Sequence, residues 1–232
     1  MSPSADPPNR SGPPELLDGL TLTVARPMVL LRLGYRRANQ VPARTAELLD
    51  TIVEQGSELL APRAICVHCP IDEPQAGQVA IGEVLTTSSR TLADGLDGCR
   101  EGWLFAATLG PAVDAWIERL SAAGEMTRTL LADAWGSAAA IQLGLDIEML
   151  LSRRLRAAGL VPGRRCAPGY GDWDLSAQRP LLRHLEADRI GITLSEDGMM
   201  APLKSVSGVI GGRGEAATTQ ATADAPGDPN SS

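Results

Sequence analysis

The stretch WLFAATLGPAVDAWIERL, residues 103–120, decides the architecture. Residues 103–109 are almost wholly apolar, and a strand that is apolar on both faces belongs in the middle of a sheet with a layer on each side. Gly110-Pro111 breaks it. Proline suits the first turn of a helix, and Val113, Trp116, Ile117 and Leu120 then recur at helical spacing, so one helix face is offered back to the sheet. A second, longer helix is predicted from about 125 to 158, rich in Ala, Leu and Met, with RRLR near its end where cations meet the helix dipole favourably. Trp116 and Trp135 read as core anchors on these two helices.

Upstream, LTLTV at 20–24 alternates apolar with hydroxyl residues and predicts a half-buried strand. Pro27 opens a short helix that closes at Gly34, and residues 42–60 carry an apolar stripe at helical spacing. Further strands are predicted at 64–71 and 79–85. Downstream, 190–211 reads as two short strands joined by a turn at Asp197-Gly198. Helices and strands are mixed without a regular strand–helix repeat, which predicts a single α+β domain with a mixed or antiparallel sheet packed against long helices. That domain is expected over 16–212. Residues 1–15 and 213–232, rich in Pro, Ser, Ala, Gly and Asp, are expected to be disordered tails.

A net charge of −7 argues against a nucleic-acid partner, because phosphate neutralisation needs clustered Lys and Arg. No apolar run reaches the roughly 18 residues of a spanning helix, and no export signal precedes the fold, so a cytoplasmic protein is expected. Cys66, Cys69, Cys99 and Cys166 then read as free thiols. CVHC at 66–69 lacks a second ligand pair, and RAICVHCPI around it looks like a strand that sends Cys66 and Cys69 to opposite faces, so no metal site is expected. No GxGxxG follows a strand and no GxxxxGK[ST] is present, which removes the usual dinucleotide and P-loop readings. His184, in LLRHLE, reads as a helical surface residue, and no catalytic dyad stands out.

RRCAPGYGDWDLSAQRPLLRHL, 164–185, carries the chemistry. Pro168-Gly169 predicts a type II turn, since proline fixes φ and glycine accepts the positive φ of the next position. Two readings stand. In one, the run is a packed loop anchored to the core by Tyr170 and Trp173. In the other, it is a ligand loop in which Arg165 holds an acid group and a ring covers an apolar or cationic part.

RCAPGYGDW at 165–173, followed by IGITLSEDGMMAPLKSVSGVIG at 190–211, resembles the activation domain of vitamin B12-dependent methionine synthases, and most closely the stand-alone, single-domain members of that family. VLLRLGYRR at 29–37, APRAI at 61–65 and FAATLGPAVDAWIERL at 105–120 are similar to its amino-terminal half, so the likeness spans most of 20–211. The resemblance implies S-adenosylmethionine binding and repair of inactive cob(II)alamin. The cobalamin would be held by a partner methionine synthase lacking its own activation domain, and a flavodoxin-type donor would supply the electron. The chain would then be a component acting in trans rather than a complete enzyme. By the same resemblance Arg165 grips the methionyl carboxylate, Ala167, Pro168 and Gly169 bring the backbone close to the nucleoside, and Tyr170 packs on the ligand. Ser205 and Ser207, two apart in a strand, share a face, and either they form a wall of the ligand or corrinoid cleft beside the 165–170 loop or their hydroxyls satisfy neighbouring backbone groups. Methyl transfer from a sulfonium needs no general base, so no catalytic residue is expected. The helix position that carries an acid for the ligand's amino group in the large enzymes falls near Ser137, with Asp133 and Glu148 as alternatives. A non-enzymatic docking or sensing module, or a subunit for another corrinoid methyltransferase, is the rival implication.

Overall fold

The computed structural model describes residues 11–72, 78–82 and 84–214, so most of both expected tails lies outside the described residues. Five strands form one antiparallel sheet: β1 (Glu15–Leu17), β2 (Arg63–Pro70), β5 (Cys99–Thr108), β6 (Val161–Cys166) and β9 (Ser205–Arg213). Their order is β1-β2-β5-β9-β6, which puts β5 in the centre. The sheet begins early in the chain. Gly12 N–H donates to His68 O at 2.8 Å, and Glu15 stands opposite Cys66.

The predicted two-sided burial of β5 separates two cores. Phe105 and Ala107 face one layer, built from α1 (Arg26–Arg32), α2 (Ala43–Glu58), α4 (Pro111–Ala122) and α5 (Met126–Ala157). Leu104 and Ala106 face the other, built from the hairpin of β3 (Gln78–Ile81) and β4 (Leu85–Ser88), α3 (Arg90–Gly95) and α6 (Gln178–His184). Cys66 enters the first core and Cys69 the second, as the strand reading of 64–71 requires. All four cysteines are free and buried, and burial pushes the Cys66 and Cys69 thiols up to about 12. Trp135, fully buried, meets Trp116 edge-to-face at 6.2 Å, an arrangement that suits the ring quadrupoles.

One predicted strand is absent. Leu20, Leu22 and Val24 do alternate half-buried with exposed neighbours and pack on the first core, but the segment joins no ladder, and the strand lies instead at Glu15–Leu17. Alternation reports one-sided burial, which an extended segment achieves without a partner strand. At the other end, the hairpin predicted around Asp197-Gly198 is formed by β7 (Thr193–Leu194) and β8 (Met200–Ala201), with Gly198 at φ 80°, and the nine-residue β9 follows it. Among the described residues, no helix is long and apolar enough to cross a membrane.

Candidate functional site

β6 is an edge strand whose pairing with β9 ends at Cys166 opposite Val209. There the chain turns. Tyr170 N–H donates to Ala167 O at 3.2 Å across Pro168-Gly169, with Gly169 at φ 86°, which is the predicted type II turn. Gly171, at φ 61°, makes the next bend, and Gly169 N–H donates to Trp173 O at 2.8 Å to close the loop on itself. Asp172 then ties the loop to α3. Its carboxylate accepts from Ser89 Oγ–H at 2.7 Å and from the N–H groups of Arg90 and Thr91 at 2.8 and 2.9 Å. The hydroxyl of Ser89, followed by these backbone donors, holds the Asp172 carboxyl well below the usual carboxylate range.

The two rings of this loop part company. Trp173 is 2% exposed and belongs to the second core, whereas Tyr170 is 71% exposed. Trp173 therefore anchors the loop and Tyr170 does not.

Because β6 departs at Cys166, no β6 residue pairs with β9 over 205–208. Leu109 N–H, at the end of β5, donates to Lys204 O at 3.0 Å. In an antiparallel ladder successive residues point their peptide groups to opposite sides, so those of Ser205 and Ser207 point away from β5, toward the gap that β6 leaves. Their side chains share one face, that of Val209 and the second core, and are nearly buried; Ser205 Oγ–H donates to Pro202 O at 2.7 Å. Lys204 and Val206 face the opposite way, toward α5.

Arg165 lies on the α5 side as well, opposite Ile210 in the ladder. Its Nε is 3.4 Å from Glu148 Oε2, and its guanidinium crosses α5 at Gly144, where a Cβ would stand 2.6 Å from Nη1. At 3.4 Å this is an ion pair rather than a tight hydrogen bond, so the donors of the fork remain available to an incoming acid. About two turns earlier on α5, Lys204 Nζ donates to Asp133 Oδ1 at 2.6 Å and Ser137 Oγ at 3.0 Å.

A cleft of about 530 Å³ opens at this loop, lined by Arg164, Arg165, Ala167 and Tyr170 with Thr91 and Asp94 across from them on α3. That volume lies in the range of small-molecule sites. Arg165, Ala167 and Tyr170 thus meet in one cleft. Pro168 is buried beneath the turn, Gly169 is exposed at it, and Ser205 and Ser207 are nearly buried and do not line this cleft. Sequence reasoning missed Thr91, Asp94, Asp172 and Lys204. The Asp172–Ser89 contact spans 83 positions, and no local pattern announces it. Lys204 carried a visible signal in being the only lysine of the chain. Among the described residues there is no group of three or more side chains able to hold a metal.

Residues 112–221 match the family model described as vitamin B12 dependent methionine synthase, activation domain, and both motif segments, 165–173 and 190–211, fall inside it. A solved structure described as the MetH reactivation domain bound to AdoHcy is similar in fold, with a TM-score of 0.62 at 17% sequence identity, covering 80% of this chain and 73% of that one. No curated protein matches the chain.

Proposed function

We propose, for a chain whose residues 112–221 match the vitamin B12-dependent methionine synthase activation domain, that it binds S-adenosylmethionine and serves in trans as the reactivation component of a cobalamin-dependent methionine synthase. The folded unit doing this is the expected 16–212, with Glu15 and Arg213 extending its sheet by a residue at each end. One electron from a flavodoxin-type donor, together with the methyl cation of S-adenosylmethionine, would convert the partner's cob(II)alamin to methylcobalamin and leave S-adenosylhomocysteine. This chain's own share is binding and orientation.

The observation that carries the reading is the Arg165–Glu148 pair beside the open edge of β9. A guanidinium and a carboxylate side by side complement the carboxylate and ammonium of an α-amino acid. The peptide groups of Ser205 and Ser207 suit the hydrogen-bonding rim of a nucleoside, the small Ala167 lets it approach the backbone, and the exposed Tyr170 ring is available to cover it. Every polar group invoked here binds or orients, and none has to move a proton.

The test mixes the chain with a cobalamin-binding methionine synthase lacking this domain, a reduced flavodoxin-type donor and S-adenosylmethionine, and follows methylcobalamin by its absorbance. Methylcobalamin should form only when the chain is present. Formation at the same rate without the chain contradicts the proposal. Binding of S-adenosylmethionine without any methyl transfer would leave a sensing or docking module.

A further inference from the structure

Lys204 is the only lysine among the chain's 21 lysines and arginines, and it is the least exposed cation the site contains, at 9%. Its stem crosses α5 at Gly136, where a Cβ would stand 3.1 Å from Lys204 Cε and 3.5 Å from Cδ. Its ammonium ends between Asp133 and Ser137, one helical turn apart on the same face of α5. The backbone of this stretch is gripped as well. Leu203 N–H donates to the Asp114 carboxylate on α4, and Lys204 O accepts from Leu109 N–H. Three elements therefore converge on the two residues that precede β9.

A methionine of similar length could fill the slot over Gly136 without desolvating a charge. Removing an ammonium from water costs free energy unless its donors are satisfied in a defined geometry. The slot is also narrow, and a planar guanidinium would press on α5 where the slim lysine stem just fits. What the ammonium adds over an apolar filler is direction: it can bond only where Asp133 and Ser137 stand, which fixes the start of β9 along the α5 axis.

We propose that Lys204 is a positioning residue whose ammonium latches the first residues of β9 to α5 and so sets the ligand-facing edge at Ser205–Ser207. Its effect on ligand affinity rests on the S-adenosylmethionine reading above; the latch itself does not.

The test uses the full chain with Lys204→Ala, which removes the equivalent of n-propylammonium, and Lys204→Met, which keeps the slot filled without charge. Two quantities are measured, amide hydrogen exchange over 203–208 and S-adenosylmethionine affinity by calorimetry. Both variants should exchange faster there and bind about tenfold more weakly or worse, the effect of a small misplacement of a binding edge. In Lys204→Ala, n-propylammonium chloride should restore both quantities while neutral n-propanol restores neither. Unchanged exchange in Lys204→Met overturns the latch, as does equal rescue by propanol, which would make Lys204 a volume filler. If the wild-type chain itself binds no S-adenosylmethionine, the functional reading falls, and the exchange and rescue measurements still decide the latch.

Discussion

Tyr170 and Trp173 lie three residues apart in one loop, and their opposite exposures assign them opposite jobs. Trp173→Ala empties a place in the second core and should cost about 3–5 kcal/mol in a melting or denaturant experiment. Tyr170→Ala removes a ring that mostly faces water and should leave stability within about 0.5 kcal/mol. If it instead lowers stability as Trp173→Ala does, the loop is held by both rings and Tyr170 is not reserved for a ligand. Asp172 gives this loop a pH signature. Its folded carboxyl titrates below its unfolded one, so its stabilisation is fully present above the unfolded value, about 4, and is lost as pH falls through the folded value. The melting-temperature gap between wild type and Asp172→Ala should therefore be constant at neutral pH and shrink on acidification below about 4; a gap that does not change with pH contradicts the assignment. The Pro168-Gly169 turn was legible in the sequence because its chemistry is local. Which ring was buried was not, because that depends on α3 and α6 closing over the loop.

Glycines on two helices separate packing from binding at the element scale. A Cβ at Gly56 would stand 2.5 Å from the Trp135 ring, and that ring is fully buried and cannot retreat. The helix-propensity gain of Gly→Ala, about 0.5–1 kcal/mol, is outweighed by overpacking of about 1–3 kcal/mol, so Gly56→Ala should be less stable than wild type. At Gly144 the nearest atom is Arg165 Nη1, the far end of a flexible side chain. Gly144→Ala should push the guanidinium aside, weaken S-adenosylmethionine binding, and leave the melting temperature nearly unchanged. A variant that melts early with normal affinity would show Gly144 to serve packing alone. Most elements could be read from periodicity, since β5, α2, α4 and α5 each combine a clear apolar pattern with a Pro or Gly boundary. The strand at 20–24 failed because alternation there reflects a half-buried extended segment. β4, Leu85–Ser88, went unread because TTS lacks apolar alternation and is held mainly by its partner β3.

For the whole molecule, an antiparallel sheet with a core on each face places the end of β6 and the loop after it against α3 around one cleft, while the Arg165 side chain also reaches α5 at Gly144 and Glu148. The resemblance at 165–173 marked Arg165, Ala167 and Tyr170, and the three line that cleft together. It could not show that Glu148 would stand beside Arg165 or that Lys204 would lie across α5, because both depend on how the long helix crosses the sheet. In the proposed complex Arg165 is the anchor for the amino-acid carboxylate. Calorimetric titration of S-adenosylmethionine into wild type and Arg165→Ala, with a melting curve for each, tests it most directly. Saturable binding by the wild type should weaken by about 2–3 kcal/mol, tens- to hundredfold, in a variant that still folds. No binding by the wild type, or equal affinity in a folded Arg165→Ala, would contradict it.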